Sequence, residues 1–459
     1  MNSKRNIRIV ALFIITLFLV QPLIVVASDN DKMVDIASEL DALFIAEFGY
    51  AFVQNHNQSV EIALSLEGSF ARDRLGRTIY PEYFGGFYID IYGNLVILVV
   101  KSAMIEAQGI TNASISDIQF AETITREVGF SYNELIDMFR FLNKVPVYLA
   151  SSWHVDVMKN RIVVNLVELN DESIFYFKQT IVDSPMIVFM ESPESCFDLI
   201  NYTNESNYLL NDINTHEMVI FNQGVINLMP GRALYYSPTM INFRRRAGSI
   251  GYRAFNMDNN GRVGFVTTAH GPPGHMLENQ LRPGMPIYVV SRHYEPGSGF
   301  VRVGWVRRSR LVHNSIAHFY ATPFRFDAAF IELDPEPGIS INMLQLDYII
   351  PLTRIPVVGE IVSTWGTPDA GFPGDGAIRL ATSRVVAIHG HVHITGDNVA
   401  IDLVRTTPIS GITGGGPSGG IVWFNSDRRT AGIHVLSDGS FCMAFAINDP
   451  WSGFNLILG

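Results

Sequence analysis

The chain has 459 residues, of which 47% are hydrophobic and 17% charged, and its formal net charge is −11. It is too long for one ordinary domain and too apolar for a disordered chain. Its two cysteines, Cys196 and Cys442, exclude a disulfide-stapled scaffold; they fall in different halves of the chain and read as unpaired thiols.

The N-terminus carries Lys4, Arg5 and Arg8, an apolar run from Ile9 to Val26, and the small-residue stretch Val25-Val26-Ala27. That order predicts a secretory signal over residues 1–27 and an extracellular, secreted product. The alternative is an uncleaved membrane anchor, since the run nearly matches a bilayer span. Next comes an acidic stretch. Residues 29–230 carry 28 acidic and 11 basic side chains, whereas residues 231–459 carry 16 and 19. The step predicts two units whose opposite charge favours docking. We place them at 28–225 and 226–459. The first reads as α+β. Residues 32–48 have helical spacing, and Ser131-Tyr132-Asn133-Glu134 is a capping box for a helix running to about Lys144. Residues 86–100 and 153–167 read as two echoing hairpins, with Gly93-Asn94 and Lys159-Asn160 in the turns. They predict a structural repeat, and no catalytic cluster lies among them.

The second unit reads as all-β. Short apolar runs, among them Gly264–Thr267, Ile287–Val290, Phe330–Leu333, Ile361–Thr364 and Ile421–Phe424, alternate with Gly, Pro and Asn turns. Three segments here bear chemistry. Gly264-Phe265-Val266-Thr267-Thr268-Ala269-His270 ends an apolar strand on a histidine. Phe326-Asp327-Ala328-Ala329-Phe330 heads one with a carboxylate. Gly414-Gly415-Gly416-Pro417-Ser418-Gly419-Gly420 wraps a serine in glycine. Singly, each has an ordinary structural reading. Together, in the order His, Asp, Ser, they supply a base, its orienting group and a nucleophile on a backbone free to present N–H groups to an oxyanion.

These segments resemble the triad neighbourhoods of the chymotrypsin-like serine peptidases, especially the bacterial branch of streptogrisins and α-lytic protease. Gly248-Ser249-Ile250-Gly251-Tyr252 resembles that branch's first-barrel opening. Ser152-Trp153-His154-Val155-Asp156-Val157, with Asn160-Arg161-Ile162-Val163-Val164, looks like its pro-region. The resemblance implies two packed antiparallel β-barrels behind an α+β pro-domain that assists folding and then inhibits. It implies His270 as general base, Asp327 as its orienter, Ser418 as nucleophile, and the N–H groups of Gly416 and Ser418 as oxyanion donors. Pro230-Gly231-Arg232-Ala233-Leu234 resembles the start of the family's mature chains, which puts that start between about 218 and 232. Pro417 departs from the family's usual aspartate. Gly248, Gly271 and Gly414 stand where half-cystines are common, and Cys442 lacks its usual partner.

Thr413, His434 and Ser437 resemble the pocket of glutamate-specific members; the alternative is a structural His434 beside a pocket for small or apolar side chains. His389-x-His391-x-His393 puts three imidazoles on one strand face. They read as a solvated hairpin, with zinc as the alternative. Arg244-Arg245-Arg246 reads as an exposed basic turn too short for nucleic acid. The expectation is therefore a secreted, monomeric serine endopeptidase zymogen. It acts on proteins or peptides, possesses its own pro-region as partner, and uses no metal or organic cofactor. Its rival is a catalytically inactive, peptidase-like binding protein.

Overall fold

The computed structural model describes residues 36–74, 78–100, 123–145, 147, 149–192, 224–235, 246–270, 280–290, 300–313, 325–335, 337, 339–343, 348–366, 379–394, 399–410, 418–436, 439–449 and 452–459. The N-terminal unit opens with two helices, α1 (Ile36–Phe48) and α2 (Tyr50–Ser69). The predicted spacing over 32–48 corresponds to α1. Helix α2 buries His56, Ser59, Val60, Ala63 and Leu66 on one face. Two of those five are polar, so the stripe is not legible as an apolar one.

A hairpin of β1 (Phe84–Ile89) and β2 (Leu95–Val100) follows, and β3 (Ile124–Val128) pairs with β2 in parallel. Helix α3 (Tyr132–Leu142) starts at the predicted capping box: Ser131 N–H donates to Glu134 Oε2 at 2.7 Å, and Glu134 N–H to Ser131 Oγ at 3.3 Å. The second hairpin, β4 (Ala150–Asp156) and β5 (Arg161–Leu166), is followed by helix α4 (Asp171–Thr180) and β6 (Ile187–Glu191), which again runs parallel to the second hairpin strand. The repeat is thus a helix, a hairpin and a third parallel strand, used twice.

The C-terminal unit is two curled sheets. Eight strands make the first: β8 (Ala233–Tyr235), β9 (Arg246–Ser249), β10 (Arg253–Asn256), β11 (Arg262–Thr267), β12 (Pro286–Val290), β13 (Phe300–Arg310), β14 (Ala328–Leu333) and the C-terminal strand Leu456–Leu458. It forms a half-barrel around Leu234, Phe265, Ile287, Val303 and Ile331. Ahead of it, β7 (Gly224–Leu228) pairs in parallel with β15 (Ile339–Met343), and Leu228 is fully buried. The second sheet contains β16 (Ile361–Gly366), β17 (Arg379–Ile394), β18 (Val399–Ser410), β19 (Ile421–Phe424), β20 (Thr430–His434) and β21 (Phe441–Met443). β17 pairs with both β16 and β18, so these strands close into a six-stranded barrel. Every apolar run singled out in the sequence lies in one of these strands. The fold is mainly β with an α+β N-terminal unit, as expected.

Only the three-dimensional structure shows how the units meet. β4 pairs antiparallel with β17, setting His154 opposite Gly390, Trp153 opposite His391 and Ser152 opposite Val392. The N-terminal sheet thereby continues the closed barrel into a ten-stranded surface. Val357 and Val358 of the C-terminal unit share one core with Ile89, Leu98 and Trp153, and Ile89 N–H donates to the Val358 carbonyl at 2.8 Å. Arginines of the C-terminal unit reach across. Arg428 pairs with Asp41, while Arg325, Arg384 and Arg405 donate to the Asn143 carbonyl, the Asp90 carbonyl and Ser152 Oγ. The seam uses the charge difference partly as ion pairing and mostly as hydrogen bonding to neutral oxygens. It also overturns the solvated reading of the three-histidine strand. His391 is fully buried, His393 is 8% exposed, and both rings pack on Trp153. The hairpin is covered because an entire second unit docks on it.

Candidate active site

β11 lies antiparallel to β14, with Thr267 opposite Ala329. That register carries the residues just after β11 alongside those just before β14, and so brings His270 to Asp327 across 57 residues of sequence. Asp327 is completely buried. Its Oδ1 accepts the backbone N–H of Ala269 at 2.7 Å and of His270 at 3.0 Å, and its Oδ2 takes His270 Nδ1. Its own N–H donates to Cys442 Sγ at 3.4 Å. A buried carboxylate is tolerated when its lone pairs are filled in this way. The arrangement selects the imidazole tautomer: Nδ1 carries the proton toward the carboxylate, so Nε2 presents a lone pair.

Ser418 belongs to the other barrel. Gly419 N–H donates to the His434 carbonyl at 2.8 Å, and His434 N–H to the Gly420 carbonyl at 2.9 Å, so β20 anchors the serine's loop. From the half-barrel, Ser249 N–H donates to the Ser418 carbonyl at 2.7 Å, and Thr267 Oγ1 donates to the Ser249 carbonyl at 2.7 Å. Ser249 therefore ties the serine loop to Thr267 at the end of β11, three residues before His270. The fit leaves no room for side chains. Gly419 has φ +86°, and a Cβ there would stand 2.2 Å from Thr267 Oγ1 and 2.6 Å from the Ser249 carbonyl oxygen. At Gly248, φ is +119° and a Cβ would meet the Ser418 carbonyl oxygen at 2.6 Å. The Ser418 hydroxyl itself donates to the Val435 carbonyl at 3.4 Å, a long bond.

Of the remaining predicted residues, His434 lies on β20 at 1% exposure, beside the serine loop it supports. Gly416, Thr413 and Ser437 lie outside the described residues, as do Cys196, Pro417 and Gly271. Cys442 is a free, buried thiol, and burial first, then the neighbouring Asp327 carboxylate, push it well above the ordinary thiol range. It is an inert backbone contact rather than a nucleophile. Sequence reasoning missed the bridging pair Ser249 and Thr267. Their only signal was two small-residue stretches, Gly248-Ser249 and Thr267-Thr268, but the bridge requires the pairing of distant strands. Among the described residues, no group of His, Cys, Asp and Glu has the arrangement of a metal site.

Comparison with protein-family models matches residues 49–124 to a Pro-like N-terminal domain and residues 140–192 to a Pro-like C-terminal domain. The first match covers α2 and the first hairpin, the second covers the second hairpin, α4 and β6, and both fall within the N-terminal unit. No curated protein matches the chain. A Pro-like region joined to this two-sheet β unit suggests a protease-type protein built as a zymogen. Within the chain, the pro-region is an intramolecular partner of the protease unit, docked along β4 and β17.

Proposed function

We propose that this zymogen is a secreted serine endopeptidase that hydrolyses proteins or peptides through an acyl-enzyme. One observation carries the reading. A fully buried carboxylate grips His270 by its ring and its backbone, at the seam where the Ser418 loop is tied down from both barrels. The reacting atoms follow from that. Ser418 Oγ leaves the Val435 carbonyl, and His270 Nε2 takes its proton as the oxygen attacks the scissile carbonyl. Asp327 stabilises the resulting imidazolium and holds its orientation. The N–H groups of Gly416 and Ser418 meet the oxyanion. The imidazolium returns its proton to the leaving amine, and a water repeats the sequence to free the acid. No step is routed through a metal or an organic cofactor.

Cleavage after Glu, and less well after Asp, is the specificity we assign. Thr413, Ser437 and the buried His434 imidazole would supply the hydrogen bonds a buried substrate carboxylate needs. The pro-region assists folding, then inhibits until processed. Because β7 is already part of the protease unit, processing N-terminal to Gly224 preserves its pairing with β15. A second reading, an inactive peptidase-like binding protein, draws on the Ser418 hydroxyl's contact with Val435. Labelling with a fluorophosphonate separates the two. The processed protein is expected to react at Ser418 and to lose all labelling in Ser418→Ala and His270→Ala; absence of labelling in a processed, folded sample would establish the binding-protein reading instead.

A further inference from the structure

The seam between pro-region and protease unit concentrates histidine. His389, His391 and His393 alternate along β17 and face the pro-region. The His389 ring lies 6.4 Å from Tyr132 and 5.8 Å from Phe139. His391 stacks on Trp153 at 4.4 Å, and His393 meets the same indole edge-on at 4.9 Å. From the pro-region side come His154, paired with Gly390, and His56 of α2. His56 is fully buried, and its Nε2 accepts the Ile361 N–H of the protease unit at 3.1 Å. That bond requires an unprotonated nitrogen.

Charged groups of both signs surround these rings. Arg140 and Asp402 face His389; Asp402 and Arg325 face His391; His391 and Arg325 face His393. Arg405, Asp156 and Lys159 face His154, and Glu360, Arg384 and Arg354 face His56. Burial is the largest influence at each ring. It holds His389 at about 4, His154 at about 3 and His393 at about 2, and it lowers His391 and His56 as well. His391 keeps its partner Asp402, 2.5 Å away, on separation, because both belong to the same unit.

We propose that this seam is an acid-released latch: the pro-region stays docked on the protease unit while the interface imidazoles are neutral, and parts from it when they take up protons. The direction follows from proton linkage. Separated, each exposed histidine returns toward its ordinary value of about 6.5. Below that pH the separated form binds more protons than the docked form, so docking weakens as pH falls and is at full strength above it. Each histidine that stays neutral when docked weakens docking about tenfold per pH unit, or about a hundredfold at pH 4.5. Two acting together reach on the order of 10⁴.

The test uses the full chain carrying Ser418→Ala, so that its outcome is independent of whether the protein is a working peptidase. Small-angle scattering and hydrogen exchange are followed from pH 8 to pH 4.5. The expected result is a reversible rise in radius of gyration below about pH 6. With it, amide protection is lost at Ser152–His154 and Gly390–Val392, while β11 and β14 remain protected. Replacing His389 and His393 by Phe keeps the ring packing without the titration, and should move the opening to lower pH and flatten its slope. Should that double variant fail to fold at pH 8, the profile of the Ser418→Ala chain decides. Simultaneous loss of protection at the seam and in the barrels, or an unshifted profile in a folded variant, overturns the latch.

Discussion

Asp327→Asn is the most informative single perturbation of the proposed site. The carboxylate has two tasks, one for each oxygen. Oδ1 satisfies the backbone N–H groups of Ala269 and His270, and Oδ2 meets His270 Nδ1. In the amide, the oxygen must take the Oδ1 position, because placing NH2 there would set donors against two donors. The NH2 then occupies the Oδ2 position and donates to Nδ1. The imidazole is forced into its other tautomer, with the proton on Nε2, and has no lone pair for the serine proton. Both backbone bonds survive, so the fold should persist, with a thermal midpoint within a few degrees of the parent. Turnover of ester and peptide substrates should fall on the order of 10⁴, or about 5 kcal/mol of transition-state stabilisation. Asp327→Ala makes the contrast, because it orphans two buried N–H groups at about 1–3 kcal/mol each and should destabilise the protein. The measurements are kcat and KM on the processed enzyme with calorimetry alongside. A folded Asp327→Asn enzyme retaining activity within about tenfold of the parent would refute the tautomer argument.

Two further variants probe the loop and the pocket. Gly419→Ala must hold an alanine at φ +86° with its Cβ 2.2 Å from Thr267 Oγ1; we expect a loss of roughly 2–5 kcal/mol, read as a shifted denaturant midpoint at unchanged slope, and a midpoint like the parent's would mean that the serine loop does not approach β11 this closely. His434→Ala should abolish enrichment for Glu in a peptide-library digest while slow ester hydrolysis persists, since Asp327, His270 and Ser418 are untouched. Library cleavage after Ala, Leu or Phe without Glu enrichment would leave the peptidase reading standing and remove the specificity.

Much of this protein was legible before folding because its signals are local. The capping box at Ser131 and Glu134 forms both of its bonds as read, since capping involves only neighbouring residues and one helical turn. The hairpins around Gly93 and Asn160 stand where the turn residues put them; Gly93 has φ +87° and Asn160 φ +52°. The strands of the protease unit announced themselves through short apolar runs between turn residues, and the order of His270, Asp327 and Ser418 marked the segments worth assembling. Helix α4 escaped, because only Phe177 among its ten residues is fully buried, with Ile174 packed partly beside it, too few apolar contacts to set a period. Helix α2 escaped because its buried face includes His56 and Ser59.

The sequence by itself determined the kinds of element, the division into an acidic and a more basic unit, and the chemical groups available. Tertiary structure alone decided which distant strands became neighbours. It set Thr267 opposite Ala329, so that His270 reached a carboxylate, and it tied the serine loop to Ser249 of one sheet through the Ser418 carbonyl and to His434 of the other through Gly419 and Gly420. It also turned His389, His391 and His393 from apparent surface residues into the lining of a docked seam. The physical reason is the same in each case. Local signals are written in the spacing of residues along one strand or helix, whereas burial and pairing depend on which other surface arrives, and no spacing within β17 records that its partner is β4.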